Sequence, residues 1–425
     1  MLLLHISDLH FREGEVGTPL DPNKHLRDSL TADAAAMCAE LGKSPDAILI
    51  SGDIAYSGAS AEYLFAETWL KELCERCGTT LARVFTVPGN HDVVRDLTKQ
   101  SIVQALHHEI KSAGSLVVDS TIRGLLTDKI SGPLLYRSIE HYNGFAAPFF
   151  CSLLPPHRTL CERELEFEHG SKLKLLGVNS TFVSGEGDKE RDLFVDLAAL
   201  QITKQPGRIN IVLCHHPYHW LRNGDVFEDH LSSVAKLHLF GHVHTNRVFL
   251  GRDFVRLSAS AAHPDRTEHG WEPGYNLIEL TIGGKPENRV LRVKVHVRIW
   301  QSRPGQFHHK FDGITPFFQQ EIPLDRWEVQ EAVILNGDAP LAPTVVAGTP
   351  QEEDSMDELR DVSLRFFQLT ASQRAIVAGK LDLIEDSDKD FPDFERTRKV
   401  LLRAKERNLI RDLDKEVRNL TSLNS

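Results

Sequence analysis

The chain has 425 residues, enough for two or three domains, with an ordinary 41% of hydrophobic residues and a net charge of −11. No apolar run approaches the roughly 18 residues that a membrane span needs, and the start lacks a basic n-region and a long apolar core, so neither a membrane partner nor a secretory leader is expected. An acidic body disfavours sequence-blind binding to nucleic acid, and six scattered cysteines (38, 74, 77, 151, 161 and 214) make no disulfide framework, so a reducing cytoplasm is the expected setting.

Short apolar runs that end in polar, Gly-rich turns open the chain. "LLLHIS" (2–7), "DAILIS" (46–51) and "ARVFTV" (82–87) read as buried strands. "LRDSLTADAAAMCAEL" (26–41) and "EYLFAETWLKELCERC" (62–77) read as helices between them, which argues for α/β layering. Cys74 and Cys77 fall inside the second helix and are expected to pack there. Residues 97–170 break the rhythm and read as a mostly helical insertion, a cap over the sheet edge. Strands are expected again at 172–179, 209–214, 235–240, 255–260, 275–280 and 289–300. In the last, Val293, Val295, Val297 and Ile299 share one face, and Arg292, Lys294, His296 and Arg298 share the other.

Residues 336–356 are rich in Pro, Gly and acids and read as a linker. A helical module is expected over 357–425. Thr370 with Gln373 has the pattern of a capping box, and Pro392 suits a first helical turn.

Polar groups collect where the strands end. Asp8 and His10 follow the first, Asp53 the second, and Asn90, His91 and Asp92 the third. His215 and His216 stand in "LCHHP", and His242 and His244 in "FGHVHT". Residues two apart on a strand point the same way, so Asp8 and His10 are expected to converge, as are His242 and His244. Gly52, Gly89 and Gly241 each precede a candidate and permit close approach of the backbone. Carboxylate, imidazole and amide oxygen together suit manganese, iron, zinc or similar divalent ions. Seven such groups exceed what one ion needs. Two ions about 3.5–4 Å apart, bridged by a carboxylate, would use them all.

This ordered set resembles the signature of the calcineurin-like metallophosphoesterase superfamily: D-x-H, G-D, G-N-H-[DE], H and G-H-x-H. The resemblance covers roughly residues 1–320. It implies a four-layer α-β-β-α sandwich, which with the helical insertion and a small all-α C-terminal domain makes a domain over 1–335, a linker over 336–356 and a helical domain over 357–425. It implies that Asp8, His10, Asp53 and His244 hold one metal, and that Asp53 bridges to a second held also by Asn90, His215 and His242. Manganese is the first expectation, with iron, zinc, nickel or magnesium as alternatives. His91 would contact the scissile phosphate and protonate the leaving group. Asp92 and His216 would stand behind or beside the ligands. The implied activity is attack of a metal-bridging hydroxide on a phosphoester.

The stretch "SGDIAYSGASAEY" resembles the branch that contains cyclic-nucleotide phosphodiesterases, so a nucleotide-type phosphodiester is the expected substrate. The alternative is a nuclease effector of a bacterial defence system, acting on DNA or RNA. It rests on the tail, which is loosely similar to death-like adaptor modules fused to such effectors. That tail is expected to bind a protein partner or a second copy of itself. A basic strip near Arg292, Lys294 and Arg298 reads first as a solvated sheet face and second as a phosphate-backbone track.

Overall fold

The computed structural model describes residues 1–19, 21–264, 271–327 and 350–422. It divides into two compact units: Met1–Ala146 with Cys151–Trp327, and Ala147–Phe150 with the described part of Glu328–Ser425.

The first unit is built on two sheets. Strands β1 (Leu2–Ile6), β2 (Ala47–Ile50) and β3 (Val84–Thr86) run parallel at one end of the first sheet. β4 (Leu160–Glu166), β5 (Lys172–Val178), β6 (Arg208–Cys214), β7 (Leu237–Phe240), β8 (Arg247–Leu250) and β9 (Val255–Ser258) form the second, in the order β4-β5-β6-β7-β9-β8. β10 (Gly274–Gly283), β11 (Val290–Ser302), β12 (Gly305–His309) and β13 (Phe318–Pro323) return to the first, whose order is β12-β11-β10-β1-β2-β3, with β13 also paired to β11. β1, β2, β6 and β7 are apolar almost throughout because both faces are covered, as central parallel strands require. The facing sheets are joined by polar links as well as by apolar packing. Arg163 of β4 donates to the carbonyls of Ala82 (3.2 Å) and Val84 (2.7 Å), and the Tyr142 hydroxyl donates to that of Thr86 (2.9 Å). Helices Lys24–Leu41 and Ser60–Arg76 pack on each other, with Trp69 Nε1 donating to Thr31 Oγ1 at 3.1 Å.

Two expectations shift here. The helical insertion stops near Phe149, and residues 160–166 are a strand of the second sheet rather than the end of a cap. The strand escapes a hydrophobicity reading because one of its inward positions holds Arg163, which is satisfied by carbonyls instead of by apolar contact. β8, β12 and β13 are likewise absent from the sequence reading; the first is short and lies at a sheet edge, with alternate residues exposed.

The expected helices at 26–41 and 62–77 are present as Lys24–Leu41 and Ser60–Arg76. Cys74 and Cys77 are buried thiols, and all six cysteines are free. Among the described residues, no helix is long and apolar enough to cross a membrane.

The second unit holds helices Pro350–Gln368, Ala371–Lys380, Asp393–Glu406 and Ile410–Ser422 around their own core, with Leu359, Val362, Val377, Leu383, Leu401, Leu413 and Val417 fully buried. The capping box forms: Gln373 N donates to Thr370 Oγ1, and Thr370 N donates back to Gln373 Oε1 at 2.9 Å. Pro392 sits immediately before the Asp393–Glu406 helix. The helix from Pro350 begins inside the stretch expected to be linker; residues 336–349 lie outside the described residues.

His238 of β7 is fully buried with Nδ1 2.9 Å from the Tyr218 hydroxyl, and burial pushes its pKa down to about 4. Unfolded histidine titrates near 6.5, so the unfolded chain binds the extra proton between pH 6.5 and 4. This histidine should therefore contribute fully above pH 6.5 and withdraw up to about 3 kcal/mol as the pH falls to 4. All five tryptophans lie in the first unit. Urea titrations followed by their fluorescence should show the wild type losing more stability between pH 7 and 4.5 than His238→Phe; equal losses would refute the assignment.

Candidate metal centre

Five loops make the site, and each leaves the C-terminal end of a strand: β1, β2, β3, β6 and β7. The backbone there is bent. Asp8 (φ 54°), His10 (46°), Asp53 (54°), His242 (69°) and His244 (53°) are all left-handed. Ten non-glycine residues among those described have positive φ, so half of them sit in this one place. Strain of this kind gathers where side chains must be aimed. It also corrects the reason expected for convergence. β1 ends at Ile6, so Asp8 and His10 meet through successive bends rather than through strand alternation. Their main-chain N–H groups donate to the carbonyls of Gly52 and Asp53, both at 3.0 Å, which lashes the first loop to the second.

Three glycines are required by contact; at Gly89 a Cβ would come 2.5 Å from Asp53 N. At Gly52 (φ 97°) a Cβ would come 2.5 Å from His215 Nδ1 and 2.9 Å from Gly89 N. At Gly241 it would come 2.8 Å from the Ser51 carbonyl and 3.0 Å from Asp8 Oδ2.

The side chains close around two adjoining points. Asp8 Oδ1 lies 3.2 Å from His244 Nε2, and the ligand atoms of Asp8, His10 and His244 all fall within 4.8 Å of one another. Asn90 Oδ1 lies 3.1 Å from His215 Nε2 and 3.0 Å from His242 Nδ1. Asp53 Oδ2 stands between the groups, 3.3 Å from His10 Nε2 and 3.3 Å from His215 Nε2. All seven expected ligand positions are therefore brought together, with His91 beside them: its ring is 4.7 Å from that of His10, and its N–H donates to Asp53 Oδ1 at 2.7 Å.

Main-chain carbonyls hold the imidazoles in place. His215 Nδ1 donates to Ser51 O (2.7 Å), His91 Nδ1 to Tyr56 O (2.7 Å) and His10 Nδ1 to His263 O (3.3 Å). Each leaves its Nε2 directed inward, the arrangement that orients metal-binding histidines.

The site is built for positive charge. Asp8 and Asp53 are at most 1% exposed, and among the described residues no lysine or arginine pairs with either. Burial pushes the Asp8 carboxyl up, yet the neighbouring His244 and His215 bring it down to about 2. Asp53 is likewise driven well below the carboxylate range, against its burial, by His215 and His91. Burial depresses His215, but the Asp53 charge outweighs it and raises the imidazole to about 9. Two ionised carboxylates in a dry site, met by imidazole nitrogens and by the main-chain N–H groups of His91 and His242, with an amide oxygen nearby, are the donor set of a divalent cation. Asp8 Oδ1, buried with no hydrogen bond to it, fits the same group.

His215 and His216 differ in their partners, although ring nitrogens of both lie with one of His242 within 4.8 Å of one another. His215 faces Asp53 and Asn90. His216 turns Nδ1 to Ser180 Oγ at 2.8 Å, packs its ring 4.5 Å from that of His242, and is held neutral by burial. Asp92 points away from the centre. It accepts from Gly89 N (2.8 Å), Ala55 N (3.0 Å), Ile54 N (3.3 Å) and the Tyr63 hydroxyl (2.9 Å), and so clamps the second loop to the third. Burial, then the Asp53 charge, raises its carboxyl to about 7.

Sequence reading missed the supporting residues. Tyr56 stacks on His91 (5.0 Å between centroids) beneath the Arg12 guanidinium (3.8 Å), Trp220 meets the His242 ring edge-on at 4.1 Å, and His263 holds His10. Tyr56 lies three residues after Asp53 in the quoted second motif, but nothing in residue type marks Trp220 or His263. Tyr275 and Asn276 are buried, the first bonded to Asp33 and the second to Asn246 and His5. The basic strip is neutralised: Arg298 pairs with Asp33, Arg292 with Glu321, and Lys294 lies over Phe317.

Residues 1–246 match the calcineurin-like phosphoesterase family, and the chain belongs to it. Its last helices form a separate compact unit. Residues 358–419 match the GTPase-associated adaptor domain. A curated relative, the uncharacterized metallophosphoesterase-like protein YydB of Bacillus subtilis, is 25% identical over 257 residues, 57% of this chain and 48% of that protein. The chain thus spans about half the length of the curated relative it matches. Solved structures with some likeness include GAP50, the anchor in the inner membrane complex of Plasmodium (11% identity, TM-score 0.39, 77% of this chain and 90% of that one). Vacuolar protein sorting 29 of Cryptosporidium parvum is another (13% identity, TM-score 0.30, 76% and 98%).

Asp92→Ala would leave three buried N–H groups without an acceptor. It should lower stability by at least about 3 kcal/mol and loosen the Asn90–His91 turn. Asp92→Asn, which keeps one acceptor oxygen, should fall between the two in urea unfolding. Wild-type stability in Asp92→Ala would show that the clamp is dispensable.

Proposed function

We propose that the protein hydrolyses phosphodiester bonds of nucleotide-type substrates at a centre of two divalent cations. One observation carries this reading: Asp53 Oδ2 stands 3.3 Å from imidazoles of both halves of the site, the place of a bridging ligand. Asp8, His10 and His244 would complete one half, and Asn90, His215 and His242 the other. When bound, such cations supply an acidified water and neutralise charge on the phosphate oxygens. Manganese is our first choice for the pair, on the mixed oxygen and imidazole donors.

The remaining steps belong to the chain itself. His91 commits Nδ1–H to the Tyr56 carbonyl, so Nε2 is the atom available to a leaving oxygen. The stacked Tyr56 ring fixes its plane. Asn90, His91, His242 and His244 are the partly exposed members, so the substrate phosphate approaches from their side, while Asp8, Asp53 and His215 form the closed floor. The nucleotide class rests on the resemblance of "SGDIAYSG".

A second reading is favoured by the match of 358–419 to the GTPase-associated adaptor domain. In it the enzyme is a nuclease effector brought to its target by a GTPase or other partner bound to the helical module.

The full chain loaded with manganese, incubated with bis-p-nitrophenyl phosphate, cyclic AMP, and single- and double-stranded DNA, tests both. Turnover of the first two supports the leading reading, whereas degradation of DNA without cyclic AMP hydrolysis selects the nuclease. Asp53→Ala should lose bound metal, counted by plasma mass spectrometry, together with at least about a thousandfold of activity. An active, metal-replete variant would overturn the bridging role.

A further inference from the structure

A second cavity, of about 440 Å³, opens beside the metal centre. Two of the loops that build the centre run directly into its walls. The segment after His215 and His216 supplies Tyr218 and His219, and β8, which starts three residues beyond His244, supplies Arg247 and Phe249. Arg256 of β9 and Glu228 of helix Gly224–Val234 complete it. On β8 and β9 these residues share one face, since Arg247 pairs in register with Ser258 and Phe249 with Arg256.

Its chemistry differs from that of an ordinary surface cleft. Two flat aromatic walls, Tyr218 and Phe249, flank the Arg256 guanidinium, which lies 5.6 and 4.9 Å from their centroids. Glu228 is paired with Arg256, so that charge is already balanced. Arg247 is not: among the described residues it has no ion-pair partner, although the chain carries a net charge of −11. Phe249 leaves 48% of its surface exposed on an edge strand. Burial depresses the His219 pKa, opposed by nearby Glu190 and joined by the charges of Arg247, Arg191 and Arg256. A free guanidinium beside an open aromatic face is what binds a phosphate and a stacked base together.

We infer that this cavity is a recognition site for a nucleotide unit next to the scissile diester, with its phosphate on Arg247 and its base against Phe249. The inference rests on phosphodiester hydrolysis at the metal centre and favours its nuclease form: the preferred substrate is a single-stranded oligonucleotide rather than an isolated diester.

The test uses the full chain and two variants, Arg247→Ala and Phe249→Ala, with thermal melting to confirm folding. With manganese bound, each should raise KM for a thymidine hexanucleotide about tenfold, the size of one lost stack or phosphate contact, with kcat within about twofold. Turnover of bis-p-nitrophenyl phosphate, which has no nucleotide to place, should not change. In parallel, fluorescence anisotropy of the labelled hexanucleotide on metal-stripped protein should show weaker binding by Arg247→Ala, with the slope of log affinity against log salt reduced by about 0.7. Hexanucleotide KM and binding unchanged in both variants would overturn the cavity's role while leaving hydrolysis intact. Binding that depends on Arg247, in a protein that hydrolyses nothing, would uphold the cavity and refute the enzyme reading instead.

Discussion

Two ionised carboxylates buried side by side, Asp8 and Asp53, are the constraint around which the first unit is arranged. Each is closed off from water, and they repel each other. A buried charge is tolerated only when paired and hydrogen-bonded. The pairing comes from imidazoles brought from the loops after β6 and β7, from His10 in the first loop, and from main-chain N–H groups such as that of His91. Positive charge is thus drawn to this spot by the fold itself, and a cation completes what the imidazoles begin.

Holding those groups at contact distance imposes demands on the backbone. Parallel strands deliver five loops to the same edge, but a strand end aims only one side chain well. Left-handed residues at 8, 10, 53, 242 and 244 aim the rest. Such conformations persist because their surroundings fix them. Gly52 and Gly241 admit neighbouring chain where any side chain would collide, and Asp92 ties the second and third loops through four donors. Burial at the floor and exposure at Asn90, His91, His242 and His244 then divide the site into a part that holds charge and a part open to solvent.

The helical module follows a different logic. Its core is its own, assembled from Leu359, Phe366, Val377, Leu401 and Val417, and its surface is laced with ion pairs such as Arg403 with Glu385 and Asp388. A small bundle with that composition can fold around local contacts. The match of residues 358–419 to the GTPase-associated adaptor domain falls within this bundle.

The sequence by itself determined the identity and order of the candidate metal-binding side chains, because each stands beside a strand end marked by apolar runs and glycine. It also determined the α/β layering and the helical tail, since both follow from periodicity. It did not disclose β4, whose inward Arg163 breaks the apolar pattern, nor short β8 at the sheet edge. The resemblance chose His215 over His216 as a ligand, and in the tertiary structure His215 is the one turned toward Asp53. Adjacent residues on a chain look equivalent until the partners of each ring, Ser51 for one and Ser180 for the other, are in place. Only the tertiary structure decided that Tyr56, Trp220 and His263 stand behind the site and that Arg247, without an ion-pair partner among the described residues, lies in one cavity wall with Phe249. Those relations are contacts between segments far apart in the chain, and no local pattern encodes them.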